Sequence, residues 1–198
     1  KVKLESPVDY FERMEEKGGP EYIYNGELYF NAHRGTYTSQ AMIKYLNRRT
    51  EFALRGAELW SSVAEHFNGH PYEAEKLETL WKKLLFNQFH DILPGSSIGK
   101  VYENAEKELK DTLEQSLAVT QNALKNMVKT GNGITVFNSL PFSRNVCVEL
   151  PDTFTGCVTD QGEKLPVYQD GTERYVLAEV PSLGALVLLP AEEGSVQT

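Results

Sequence analysis

Three apolar stripes at helical period, followed by an abrupt change to strand-like alternation, constrain this chain more than any other feature. Ile43, Leu46, Thr50, Ala53, Ala57, Trp60, Ala64 and Phe67 recur at steps of three and four, which gathers them on one face of a helix. That helix is expected from Thr38 to about His66, with Thr38 or Ser39 as N-cap and Asn68-Gly69 closing it. Between its apolar positions lie Lys44, Arg48, Arg49, Glu51, Arg55 and Glu58, a solvated face laced with ion pairs. Leu77, Leu80, Trp81, Leu84, Leu85 and Phe89 mark a second helix, starting after Pro71 and ending at His90-Asp91. Tyr102, Ala105, Leu109, Leu113, Leu117, Thr120, Leu124 and Met127 mark a third, capped by Ser96 or Ser97. Helices of matching period joined by short connections predict an antiparallel three-helix bundle.

The helical period breaks at KTGNG, residues 129–133. Beyond it ITVF, NVCVEL, GCVTD, KLPVYQ, YVLAEV and ALVLLP, separated by Pro, Gly, Asn and Asp, read as short strands of an incomplete antiparallel β-sandwich. The fold class is therefore α+β. Residues 32–130 form the helical domain and 131–198 the first strands of a β domain, whose open edges call for further strands or a covering partner. Residues 1–31 offer only KVKL as a strand and a helix over Asp9–Lys17 stopped by Gly18-Gly19-Pro20. One strand and one helix bury no core, so this segment is expected to be the tail of an upstream domain.

Composition excludes several function classes. The formal net charge of the 198 residues is -8, and no dense run of Lys or Arg occurs, which argues against nucleic acid and anionic membrane as partners. No window approaches the apolar length of a membrane span, and KVKLESPVDYF lacks the order of a signal peptide. Cys147 and Cys157 lack metal-type spacing and are expected to be reduced, buried strand residues of a cytosolic protein, with a single disulfide left open.

The chemistry concentrates in Leu84 to Ser97, LLFNQFHDILPGSS, where His90 and Asp91 end an apolar helical run just before a Pro-Gly-Ser-Ser break. An imidazole beside a carboxylate on such a corner suits a metal or sugar contact; the same pair also reads as a hydrogen-bonded cap. His33, in LYFNAHRGTYTS before the first long helix, reads either as a ligand contact or as part of a structural turn. His66 and His70 have zinc-type spacing, but Asn68, Gly69 and Pro71 end the helix there, and a solvated loop is the better reading. A catalytic zinc takes three protein ligands plus an open position, more than His33, His90 and Asp91 supply. Nor does the chain show a glycosidase acid and nucleophile pair, a serine elbow or a phosphate loop. These residues point to a polar corner that completes a site made elsewhere, with no catalytic residue in this chain.

Two stretches carry a resemblance. GELYFNAHRGTYTSQAMIKYLNRRTEFALRGAE and LWKKLLFNQFHDILPGSSIGKVYENA resemble the middle domain of the class II α-mannosidases, glycoside hydrolase family 38. VFNSLPFSR is similar to the start of that family's C-terminal β domain, and the first residues are similar to the end of its α/β catalytic domain. HRGTYT with FHDILPGSS looks more like the bacterial and cytosolic branch than the Golgi and lysosomal one.

The resemblance implies a cytoplasmic, zinc-dependent, retaining α-mannosidase that removes terminal non-reducing mannose, with its nucleophile and most zinc ligands on an upstream catalytic domain of the same polypeptide. By the same resemblance, His90 matches the one zinc ligand from the middle domain and Asp91 the neighbouring carboxylate that accepts sugar hydroxyls. His33 falls near a sugar-contacting aromatic of the other branch, and Phe89 stands where that branch has the first of two histidines. A mannose-containing oligosaccharide is the implied substrate. Family members often form homo-oligomers, and the residues here define no such interface. The isolated chain is expected to bind zinc weakly or not at all and to hydrolyse nothing. A reading from another class is a non-catalytic helical interaction module, which requires an exposed apolar face and a His90-Asp91 corner buried as a cap.

Overall fold

The computed structural model describes residues 4–26, 31–128, 131–192 and 196–197, with side chains excepted at 31–33 and 196–197. Residues 1–3 of the expected first strand fall outside it. The chain divides into two units, Lys1–Tyr37 and Thr38–Thr198.

In the first unit, helix α1 spans Pro7–Glu16. Ser6 is its N-cap, with its hydroxyl accepting from the Asp9 amide at 3.1 Å, and Pro7 follows at the first helical position, where a missing N–H costs nothing. Glu5 and Arg13 form an ion pair along it. None of its residues is buried, and Val8 and Phe11 lie exposed. A 3-10 helix, Asn31–Tyr37, closes this unit.

The second unit begins with α2 (Ala41–Asn68), α3 (Ala74–Asn87) and α4 (Gly99–Met127). Ile43, Leu46, Leu54 and Ala57 of α2, Leu77, Leu80 and Leu84 of α3, and Tyr102, Ala105, Leu109 and Val119 of α4 share one apolar core. The Asn68 carboxamide donates to the Asn126 carbonyl at 2.9 Å, joining the far ends of α2 and α4, which therefore run in the same direction. The shorter α3 returns beside them, with the Trp81 indole donating to Glu58 at 3.0 Å and Lys83 paired with Asp111 at 3.1 Å.

Several local expectations are corrected. Neither Thr38 nor Ser39 caps α2; Gln40 occupies that position in a left-handed conformation (φ 52°) and makes no side-chain cap bond. Ile98, not Ser96 or Ser97, precedes α4, and it has no capping group. Helix α3 stops at Asn87, so Phe89 to Asp91 form a turn rather than its last residues. Phe67, Leu85 and Leu117, assigned to apolar stripes, are exposed, whereas Leu54 is fully buried. As expected, Gly69 ends α2, in a left-handed conformation (φ 68°) with its amide bonded to the Glu65 carbonyl at 3.0 Å.

After α4 come β1 (Ile134–Phe137), β2 (Arg144–Leu150), β3 (Gly156–Thr159), β4 (Lys164–Leu165), β5 (Val167–Asp170), β6 (Glu173–Val180), β7 (Ala185–Ala191) and β8 (Val196–Gln197). They form two four-stranded sheets, ordered β1-β7-β3-β4 and β2-β6-β5-β8, with every pairing antiparallel except β5 with β8. Leu150, Val167, Val176 and Ala178 of one sheet meet Cys157 and Leu188 of the other in a common core, sealed by Phe154. The class is α+β as expected. Cys157 is buried, but Cys147 lies on an exposed position of β2, because the β2 side chains facing the core are Val148 and Leu150. Both cysteines are free thiols. Burial pushes the Cys157 thiol pKa up. Trp60 of α2 packs edge-on against Phe137 of β1, with ring centroids 5.2 Å apart.

Candidate functional site

The corner between α3 and α4 is built by ending α3 early and holding the released chain from both sides. The Gln88 amide bonds back to the Leu85 carbonyl, and the Ile92 and Leu93 amides both donate to the Phe89 carbonyl at 2.9 and 3.1 Å, so residues 89–93 wind as a tight turn. Ile92 is buried in the helical core and pins the turn from inside. Opposite it, His90 and Asp91 project outward, with 78 % and 54 % of their side chains exposed. Nε2 of His90 lies 3.5 Å from Oδ2 of Asp91, and the imidazole leans on the Phe89 ring with centroids 4.1 Å apart. This pair is not a buried cap. Both groups are open to a ligand.

The backbone under them is anchored by side chains from three helices. The Asp91 carbonyl accepts from the Ser97 hydroxyl at 2.6 Å and from the Tyr102 hydroxyl at 3.2 Å, while the Tyr102 oxygen accepts the Ser97 amide at 2.6 Å. Lys44 of α2 donates to the Leu93 carbonyl at 2.8 Å and also to the Ser39 carbonyl. Burial lowers its ammonium pKa. Gln88 donates to Asn47 and Glu51 at 3.0 Å each, and the buried Asn87 donates to Glu108 at 2.7 Å. Gly95 has φ +91°, and a Cβ there would lie 2.7 Å from the Ser39 Cβ, so this close approach of two backbones requires glycine.

Beside the corner is a cavity of about 360 Å³, lined by Asp91, Ser97, Asn104 and Glu108 and by the exposed rings of Phe86 and Phe89. Carboxylates and carboxamides there accept and donate hydrogen bonds, and the rings offer apolar faces, a combination suited to a polyhydroxylated ligand.

His90 and Asp91, adjacent in the sequence, both lie on the outward side of the turn after α3. It places His33 in the 3-10 helix of the first unit, with its side chain outside the described atoms. His66 lies in the last turn of α2, and His70 lies beyond the Gly69 reversal, so no continuous helix presents both imidazoles on one face. Among the described residues, no group of three or more His, Cys, Asp or Glu side chains is placed to hold a metal ion. An exposed imidazole beside a carboxylate is a donor pair of the kind that can join further ligands around a metal ion. Sequence reasoning assigned Lys44 to a solvated face and Tyr102 to the core alone. Their polar ends hold the corner, and the only local signal was a hydroxyl-bearing ring five positions after Ser97.

Residues 31–127 match the Alpha mannosidase middle domain. Alpha-mannosidase 2C1 from Homo sapiens is 36% identical over 188 residues, covering 93% of this chain and 16% of that protein. Alpha-mannosidase G from Dictyostelium discoideum is 39% identical over 124 residues, covering 59% of this chain and 11% of that protein. A crystal structure of a protein in the Glycosyl Hydrolase Family 38 from Enterococcus faecalis shares the fold, with TM-score 0.63 at 16% identity over 98% of this chain and 29% of that one. The chain belongs to glycoside hydrolase family 38, of which it carries the middle domain. It spans about a sixth of the human relative's length.

Proposed function

We propose that this chain works within a longer α-mannosidase polypeptide, where its α3–α4 corner completes a zinc and sugar site whose other ligands and nucleophile lie on an upstream catalytic domain. The observation that carries this reading is the outward projection of His90 and Asp91 at a braced corner, inside a segment matching the Alpha mannosidase middle domain. His90, as a neutral imidazole, offers a ring nitrogen lone pair to the metal. Asp91, acceptor-only when ionised, takes hydrogen bonds from mannose hydroxyls and so orients the terminal ring. Bound zinc supplies Lewis-acid anchoring of the sugar hydroxyls. Retaining hydrolysis needs two further carboxylates, which this reading assigns to the catalytic domain, leaving no catalytic residue in this chain. His33 is retained as a candidate sugar contact. The substrate class is a mannose-terminated oligosaccharide, the compartment the cytoplasm. Among the described residues no helix is long and apolar enough to cross a membrane.

The alternative, a non-catalytic helical interaction module, draws on the exposed Leu85, Phe86 and Phe89. It requires His90 and Asp91 to be a buried cap, and their exposure weighs against it. The test is hydrolysis of an aryl α-mannoside by the longer polypeptide with and without chelator, comparing wild type with His90→Ala. Metal-dependent activity that falls by about 100-fold or more in the variant is expected, because loss of a metal ligand removes the anchoring it provides. Full activity in a folded His90→Ala protein would reduce His90 to a surface residue.

A further inference from the structure

We infer that Tyr102 is a positioning residue for the His90-Asp91 corner, acting through the backbone of Asp91. This rests on the site reading proposed above. The phenol springs from the first turn of α4, its ring is buried in the helical core, and its hydroxyl reaches the backbone carbonyl of Asp91, one bond from the Cα that bears the outward-facing side chain. Its hydrogen-bonding capacity is used in both directions: the oxygen accepts the Ser97 amide at 2.6 Å, and the proton is donated to the Asp91 carbonyl at 3.2 Å. Ser97 adds a second donor to the same carbonyl at 2.6 Å. These bonds form a closed ring of Asp91, Ser97 and Tyr102 that spans the Pro94-Gly95 reversal and ties the outward-facing residues to the packed interior.

The exposed side chains have no such restraint of their own. His90 touches Phe89 and Asp91, both themselves more than half exposed, so its direction is inherited from the peptide planes beneath it. Groups that ligate or orient a substrate need placement within about 0.5 Å, and supporting hydrogen bonds provide it. Removing the phenolic oxygen leaves the ring in the core and frees the corner to move. The consequence belongs to ligand placement more than to folding.

The test uses the longer polypeptide, with zinc retention read by equilibrium competition against a chelator and kcat and KM read on an aryl α-mannoside. Tyr102→Phe and Ser97→Ala are each expected to weaken zinc retention and to lower kcat/KM by about 10-fold, a modest share of what misplacement by an ångström costs. The double variant should fall short of the product of the two, since both hydroxyls serve one carbonyl. Val167→Ala, in the core of the sheets, should lose stability while keeping wild-type zinc retention and kinetics. Wild-type zinc retention in Tyr102→Phe, or an equal loss in Val167→Ala, would overturn the inference. His90→Ala run alongside separates the two levels: unchanged zinc retention there removes the ligand assignment and this inference together, whereas loss in His90→Ala with wild-type behaviour in Tyr102→Phe removes the inference alone.

Discussion

At Gly95 two backbones approach so closely that a single methyl group has no room. The residue has φ +91°, and its nearest neighbours would be the Ser39 Cβ, carbonyl oxygen and carbonyl carbon, at 2.7 to 3.1 Å from an added Cβ. Gly95→Ala therefore combines left-handed strain with a clash against backbone, and is expected to destabilise the chain by about 1–3 kcal/mol. Urea unfolding of wild type and variant measures this as a lowered midpoint with unchanged slope. The Pro-Gly pair was legible as a helix stop, because that property is local. Its partner Ser39 lies more than fifty positions earlier, and no periodicity reports such a neighbour. The same holds for Lys44, whose ammonium donates to two backbone carbonyls.

At the scale of the element, α4 shows where pattern reading succeeds and where it drifts. Tyr102, Ala105 and Leu109 were assigned to the buried face and are buried. Beyond them the structure buries Thr112, Ser116, Val119 and Ala123, one position before each of the expected Leu113, Leu117, Thr120 and Leu124. The buried hydroxyls of Thr112 and Ser116 are satisfied by the carbonyls four residues earlier, at 2.7 Å each, so small polar side chains fit an apolar interface. Ala53, Ala57 and Ala64 of α2 are buried beside Leu54 and Trp60, and a Cβ added at Gly56 would make ordinary contact with the Thr120 hydroxyl at 3.8 Å. A leucine in place of a fully buried serine adds volume to an already filled interface. Ser116→Leu is expected to cost about 1–3 kcal/mol through overpacking. Leu117→Ser, on the half-exposed flank, is expected to cost less than about 1 kcal/mol. Denaturant midpoints of the two variants provide the comparison, and a larger loss in Leu117→Ser would return the interface to the leucine stripe.

Across the second unit, helices and sheets are joined at the turn after β1. Asn138 is almost fully buried; its carboxamide donates to the Phe142 and Pro181 carbonyls at 2.8 and 3.0 Å and accepts the Leu140 amide at 3.1 Å. Its backbone amide reaches the Gly184 carbonyl at 2.9 Å, and Arg55 of α2 donates to the adjacent Ser139 carbonyl at 3.1 Å. Asn138→Ala leaves several buried backbone groups unpaired and is expected to destabilise by about 1–3 kcal/mol. Hydrogen exchange should then quicken at the β1 amides, Ile134–Phe137, before it quickens in α2.

The amino-acid sequence by itself determined the three long helices and the stretches of β1 to β7 to within a few residues, the change of period after residue 128, the Gly69 stop and the His90-Asp91 corner. Each of these depends on side-chain period or turn chemistry within a few residues. Only the tertiary structure decided the strand orders β1-β7-β3-β4 and β2-β6-β5-β8, the outward placement of Cys147, the shifted face of α4 and the exposure of His90. Those outcomes are set by partners distant along the chain, whose packing and hydrogen bonds outweigh the weak local preference at any one position.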